Sequence, residues 1–575
     1  MKDFWKMLLA VVCGLLLFGF IAMFIFSSAL SASMAASQGK TPVLPREGVL
    51  AIDMSTFVLA EQENPIPSFN TGSAPIVTVS LYKAVDALKK AASDPGVKYV
   101  FLRSDGNLSS AASLEELRKA LSDFRKSGKP VVAYIESPST TSYWLASVAD
   151  KVYMTEYQGS MITVLGVNVQ TLFLKDLLDR FGVNVQLIRH GKFKSAGEMY
   201  TRNAPSAENA LQYNALVGSM WSTIRADIAA SRGISEAALD GAVDGLKLCL
   251  PEDFVRENLV DGLLTREGLK ARLADLAVAE NFGKVAFIPF PDYVTARSLP
   301  NYKAKAKIAV LYTDGEIVDG RMPQQVAGDR FTAVIDKVRA DSTIKAVVLR
   351  VNSPGGSVLA SEKIKHELDL LGAEKPLIAS YGGYAASGGY WISNNCDKIF
   401  TDALTLTGSI GVFGMVPDFS KTAKDKLKIG VANFTSNRHG DMYSLTRPFD
   451  NAEYNYMLRS IETIYDKFTT IVSEGRDLPK TRVDEIGQGR VWTGADALGI
   501  GLVDEIGTLS DAIAYAAVAV DLPAETVAVK EFPEPLTMIQ QIQAMIGGKN
   551  PEQEFVKEIS KPQILARMPF EITVY

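Results

Sequence analysis

The octapeptide Tyr384-Ala385-Ala386-Ser387-Gly388-Gly389-Tyr390-Trp391 follows an apolar run, Leu377 to Tyr381, that reads as a strand, and it opens a segment of helix-compatible residues. A small-residue turn between strand and helix exposes a serine for attack, and glycines beside it leave backbone N–H groups free to hold an oxyanion. Ser387 is the candidate nucleophile. The same eight residues also describe a tight turn in which Ser387 is only a helix N-cap and the glycines serve backbone geometry.

Working outward, Lys307 to Leu311 and Ala346 to Val351 read as strands, and Phe331 to Arg339 and Val358 to Leu371 as helices. Continuous apolar strands linked by helices predict a mainly parallel α/β layer covered on both faces. Further helices are expected at Asn451 to Val472, Ser510 to Ala517 and Ala207 to Ser231.

The chain also matches itself. Val97-Lys98-Tyr99-Val100-Phe101-Leu102-Arg103 recurs as Ile344-Lys345-Ala346-Val347-Val348-Leu349-Arg350, Lys129-Pro130 as Lys375-Pro376, Tyr143-Trp144 as Tyr390-Trp391, and Ala149-Asp150-Lys151 as Cys396-Asp397-Lys398. Register that holds over so long a span marks two copies of one unit.

The copies differ where chemistry is expected. The strand ending at Val351 runs into Asn352-Ser353-Pro354-Gly355-Gly356-Ser357, a glycine pair whose N–H groups suit an oxyanion, whereas the first copy has Ser104-Asp105-Gly106-Asn107 there. The Ser387-Gly388-Gly389 turn corresponds to Thr140-Thr141-Ser142, without glycine. Conversely His190-Gly191-Lys192-Phe193-Lys194-Ser195 aligns with His439-Gly440-Asp441-Met442-Tyr443-Ser444, so the second copy has Tyr443 against Lys194. One copy has lost a serine turn and the other a lysine.

Composition narrows the classes. The net charge of −5, with no basic run, argues against nucleic acid as a partner. With only three cysteines (Cys13, Cys249, Cys396) no disulfide framework or CxxC metal knuckle can be built, three histidines argue against a histidine-rich metal site, and no cofactor is expected. Met7 to Phe26 is a nearly unbroken apolar stretch, long enough to cross a ~30 Å hydrocarbon core as a helix. Lys2 and Lys6 precede it and the next positive charge is Lys40, which orients the N-terminus inward and the bulk of the chain outward. A cleaved signal peptide ending near Ser31-Ala32-Ser33 is the rival, but the apolar core is longer than such peptides carry.

The motifs Asn352 to Ser357, Ala386-Ser387-Gly388-Gly389-Tyr390, Thr407-Gly408-Ser409-Ile410-Gly411 and Lys194-Ser195-Ala196, in this order and spacing, resemble those of the signal peptide peptidase A (protease IV) family in its long, tandem-domain bacterial form, a relative of the Clp protease and crotonase folds. The resemblance implies two tandem Clp/crotonase-like α/β repeats, mainly parallel with crossover helices, behind one N-terminal transmembrane helix. The boundaries expected are 1–27 for the cytoplasmic end and anchor, 28–47 for a linker, 48–304 and 305–530 for the repeats, and 531–575 for a weakly patterned tail with a helix near Pro535 to Ile546. It further implies a serine–lysine dyad, with Ser387 as nucleophile and Lys194 as general base. Gly388 and the Gly355-Gly356 turn would form the oxyanion hole, and Ser409 would orient the lysine. The expected substrates are hydrophobic peptides such as remnant signal peptides. The expected setting is a homo-oligomer, a tetramer, in the bacterial inner membrane with its catalytic repeats in the periplasm.

A lysine base must be neutral, and only about 0.1% of an ordinary lysine is neutral at pH 7.4, so Lys194 has to be buried in an apolar wall. A Ser-His-Asp triad is the mechanistic competitor. His366 falls on a polar helix face, and His190 and His439 sit beside glycines at matching places, which suggests a turn common to both copies. Two other functions fit the same sequence: a catalytically inactive oligomeric membrane scaffold, and a crotonase-like acyl-CoA enzyme, for which an external location is a poor match.

Overall fold

The computed structural model describes residues 42–63, 76–298, 306–322, 325–523, 527–534 and 563–568, with Gly14 and Ala304. The expected membrane span, Met7 to Phe26, lies outside these residues apart from Gly14, and so does the expected helix at Pro535 to Ile546. Among the described residues no helix is long and apolar enough to cross a membrane. The chain divides into Met1–Leu44 and Pro45–Tyr575, and all the sheets belong to the second unit.

In chain order the strands begin with β1 (Gly48–Asp53), β2 (Phe57–Ala60), β3 (Val77–Ser80), β4 (Val97–Arg103), β5 (Val131–Ile135), β6 (Lys151–Thr155), β7 (Asn184–His190), β8 (Gly262–Leu264) and β9 (Phe287–Pro289). Six of these make one sheet in the order β8-β6-β5-β4-β1-β9, parallel at every step. Its strands are apolar on both faces, as helix-covered parallel sheets require; in β4, Val97 and Tyr99 to Leu102 are all buried. β2 and β3 pair separately.

The second half continues with β10 (Lys307–Asp314), β11 (Ile317–Val318), β12 (Val326–Ala327), β13 (Ile344–Ser353), β14 (Gly355–Ser357), β15 (Leu377–Ala386) and β16 (Lys398–Thr401). Then come β17 (Leu406–Gly408), β18 (Val412–Asp418), β19 (Val491–Thr493), β20 (Glu505–Ile506), β21 (Ala528–Phe532) and β22 (Gln563–Arg567). The run β20-β16-β15-β13-β10-β21 reproduces the first sheet strand for strand. Copied sequence has folded into copied topology. β21 is the partner of β9 in that scheme and crosses the boundary expected at 530/531.

The copies part company in strand length. β5 stops at Ile135, but its counterpart β15 runs on to Ala386; its first half pairs with β16 and its last three residues with β17. This overshoot carries Ser387 beyond the β16 pairing to the end of β17.

A third sheet, β12-β11-β14-β22-β18-β7, joins the halves. β7 from the first half runs antiparallel to β18 from the second, from Asn184 opposite Asp418 to His190 opposite Val412. The helix Asn451–Arg476 covers this ladder, its Met457, Ile461 and Tyr465 packing on Ile188, Val412 and Val416. Within the stretch expected as a weakly patterned tail, β22 lies between β14 and β18. Five residues whose partners lie far away in sequence give no periodic signal of their own.

Beneath the sheets, Arg350 on β13 is buried between two acids of the first half, Glu61 at 2.8 Å and Glu116 at 2.7 Å.

Candidate active site

Ser387 sits between the end of β15 and the short helix Gly388–Ser393, with φ 54° and ψ −111°. A serine rarely takes this backbone, and its surroundings hold it there: its N–H donates to the Gly408 carbonyl at 2.8 Å and its carbonyl accepts from Trp391 N–H at 2.7 Å. Its side chain caps no helix N–H. The first repeat shows the ordinary version of the same turn: Ser139 has extended geometry and makes a reciprocal capping box with Ser142, while the Thr140 hydroxyl fastens the loop at Leu165 and Gly166. The strained geometry of Ser387 is that of a nucleophile elbow, which aims Oγ out of the turn.

Lys194 meets it from the first half. The chain leaves β7 at His190, and Lys194 Nζ lies 2.8 Å from Ser387 Oγ, 3.0 Å from Ser409 Oγ and 3.1 Å from the Ser409 carbonyl. Both Lys194 and Ser387 are 0% exposed. The amine has no carboxylate partner among the described residues, and burial pushes its pKa well below the ordinary lysine range. A neutral amine satisfies this set: two N–H bonds point to the Ser409 oxygens and the lone pair faces the Ser387 hydroxyl.

Ser409 is itself in a left-handed conformation, φ 50°, and its N–H donates to the Arg490 carbonyl at 2.7 Å. The predicted group Lys194, Ser387 and Ser409 is thus gathered at one point. The predicted glycines adjoin it. Gly388 opens a helix, so its N–H has no intrahelical acceptor. Gly355 (φ 96°) touches the same spot, since a Cβ on it would lie 2.6 Å from the Gly388 nitrogen. The Gly355 N–H itself donates to Ser353 Oγ at 3.2 Å, so Gly355 supplies clearance. Gly356 is clamped on β14, where a Cβ would lie 2.0 Å from the Ile317 carbonyl oxygen.

Sequence reasoning missed the collar around the lysine. Gly489 (φ 80°) lies against it so closely that a Cβ would be 2.5 Å from Lys194 Cβ, and one on Gly411 would be 3.2 Å from Lys194 Cδ. The Gln488 carbonyl accepts from Phe193 N–H at 2.9 Å. The spaced glycines of Gly487-Gln488-Gly489 before a strand were the available signal. Also missed was Arg189, which donates to the Lys194 carbonyl at 2.7 Å and pairs at 3.1 Å with the buried Glu198.

The histidines are elsewhere. His190 ends β7 and stacks on Tyr465 at 4.0 Å between ring centres, whereas His439 lies in a turn, 2.9 Å from Glu453. The shared turn expected for them does not form, because β7 is a ladder strand and the His439 segment is not. No histidine lies within hydrogen-bond reach of Ser387. His439, Asp450 and Glu453 bring ligand atoms within 4.8 Å of one another, but the Arg447 guanidinium already bonds both Glu453 oxygens at 2.7 Å.

The chain is similar to known proteins. The model of peptidase family S49 fits the chain twice, at residues 123–280 and 369–523. Protease 4 of Haemophilus influenzae is 34% identical over 568 residues, covering 92% of this chain and 88% of that one. Protease 4 of Salmonella typhi is 35% identical, covering 78% and 73%, and the chloroplastic serine protease SPPA of Arabidopsis thaliana is 29% identical, covering 84% and 71%. With both repeats matched and relatives aligned over most of their length, the chain belongs to peptidase family S49 and is a serine peptidase.

Proposed function

We propose that Ser387 and Lys194 are a catalytic dyad that cleaves hydrophobic peptides through an acyl-enzyme. The observation that carries this reading is the 2.8 Å contact between Nζ and Oγ of two fully buried side chains. The neutral amine takes the Ser387 proton as Oγ attacks the peptide carbonyl, and the resulting ammonium hands it to the departing amine. The Gly388 N–H faces the developing oxyanion, and the Gly355-Gly356 turn leaves room for it. Water then repeats the sequence on the ester. Ser409 holds the amine in line through its carbonyl and hydroxyl.

On this reading 48–304 supplies the lysine and 305–530 the serine, as two Clp/crotonase-like repeats. Remnant signal peptides are the substrate class, in keeping with the name of a relative, a putative signal peptide peptidase SppA of Enterococcus faecium that is 32% identical over 226 residues. The apolar stretch Met7 to Phe26 supports a single-pass anchor with the catalytic part in the periplasm. The assembly expected is a homotetramer.

The test is hydrolysis of short apolar peptides by the full chain and by Ser387→Ala and Lys194→Ala. Loss of activity by about 10³-fold or more in both is expected; full activity in either variant overturns the dyad.

A further inference from the structure

Residues three and four apart share a helix face, and Asn209, Gln212, Leu216 and Ser219 form one stripe along the helix Ala207–Arg232 of the first half. Asn209, Gln212 and Leu216 are buried. The start of this stripe braces the lysine. Ser206, the residue before the helix, donates its N–H and its hydroxyl to the Glu198 carboxylate at 3.1 and 2.7 Å, and the Asn209 amide donates to it at 3.2 Å. Glu198 in turn holds Arg189, which donates to the Lys194 carbonyl.

One turn later the stripe reaches the supports of the serine. The Val491 N–H donates to Gln212 Oε1 at 2.8 Å. Val491 lies opposite Gly408 across the β17–β19 pairing, and the Gly408 carbonyl accepts the Ser387 N–H. On either side of that pair, the Arg490 carbonyl accepts the Ser409 N–H at 2.7 Å and the Thr407 hydroxyl donates to the Ala385 carbonyl at 2.7 Å. Leu216 packs with Ala386, Leu406 and Val491, and the Ser219 and Thr493 hydroxyls are 2.8 Å apart. Gln212 uses only half of its amide, since its buried Nε2 has no partner among the described residues. An unpaired buried N–H lowers stability, so a glutamine here is explained by what its oxygen fixes.

We propose that Gln212 is a positioning residue for the nucleophile: by anchoring Val491 it fixes Gly408, and with it the Ser387 turn, at the distance from Lys194 that proton transfer requires. This rests on the dyad proposed above. The helix that carries Gln212 also grips the support of the lysine, through Ser206 and Asn209, so one rigid element of the first half spans the gap between base and nucleophile. A misplacement of about 1 Å in a reacting group costs up to about 10²-fold in rate, and Gln212 is one of several ties on β19, so its loss is expected to cost part of that. The residue touches neither substrate nor the reacting atoms; it acts through β19 and β17.

The experiment compares full-chain wild type, Gln212→Met, Gln212→Glu and Lys194→Met by urea unfolding, by hydrolysis of a short apolar peptide, and by the rate of labelling with a serine-directed fluorophosphonate across pH. Met is close to Gln in volume and removes both amide groups, whereas Glu restores an oxygen acceptor with a carboxyl that burial keeps neutral. Gln212→Met is expected to keep the urea midpoint and KM of wild type while kcat and the labelling rate fall about tenfold, with the rise of labelling at the same pH as in wild type. Gln212→Glu is expected to recover to within about threefold of wild type. Wild-type kcat and labelling in Gln212→Met, equal losses in the two Gln212 variants, a change confined to KM, or a loss that tracks a lowered urea midpoint overturns this inference and leaves the dyad standing. Labelling of Lys194→Met at the wild-type rate overturns the dyad and this inference with it.

Discussion

Lys194 and Ser387 are 193 residues apart in the chain, and their Nζ and Oγ atoms are 2.8 Å apart. In the proposed dyad, what the serine does depends on the charge of that amine. Because burial holds the Lys194 pKa well below the ordinary value of about 10.4, kcat/KM for peptide hydrolysis is expected to rise as pH climbs through the depressed pKa and to level off well before pH 10. A pH–rate profile still rising through pH 10 contradicts this.

The same burial is a stability liability. The unfolded chain binds a proton on Lys194 that the folded chain does not, over the window between the depressed pKa and about 10.4, so stability rises with pH across that window. Lys194→Met is expected to be inactive yet more stable than wild type at neutral pH, with the difference shrinking as pH approaches 10.4. Urea denaturation of both proteins at several pH values checks the sign.

Gly355→Ala tests the clearance beside the nucleophile. Its Cβ would fall 2.1 Å from the Ala566 oxygen and 2.6 Å from the Gly388 nitrogen, at a φ of 96° that alanine avoids. Strain of about 1–3 kcal/mol is expected in thermal or urea unfolding. A loss in kcat/KM on the order of 10²-fold is expected in peptide hydrolysis, because a displaced Gly388 N–H no longer meets the oxyanion.

Arg350 ties the halves together from beneath. Arg350→Met leaves the Glu61 and Glu116 carboxylates buried without their cation, and a loss of about 3–5 kcal/mol is expected at pH 7. Burial already raises the Glu116 pKa, so acidification neutralises that orphaned carboxyl and the deficit is expected to narrow toward pH 5. Urea midpoints at the two pH values measure it.

Much of this was readable in the sequence, for identifiable reasons. The duplicated strands announce themselves because parallel strands buried on both faces are continuous apolar runs, and the matched Arg103 and Arg350 keep them in register. Ser387 was ambiguous, since a nucleophile elbow and an N-cap use the same residue types; only its φ of 54° separates them. The burial of Lys194 could not be read locally, because its collar, Gly411 and Gly489, lies more than two hundred residues on. The β7–β18 ladder and β22 were invisible for a related reason: short strands carry little pattern, and their pairing is decided by where longer elements put them.

The β7–β18 ladder also sets when the enzyme can act. During synthesis the lysine-bearing half emerges first and has no nucleophile; the serine follows in a half that has no base. With the dyad proposed here, neither nascent fragment would be a protease. On the proposed dyad, proteolytic competence arises only when the ladder zips and the amine is drawn out of water, so a chain interrupted before β18 would be harmless to the machinery that made it.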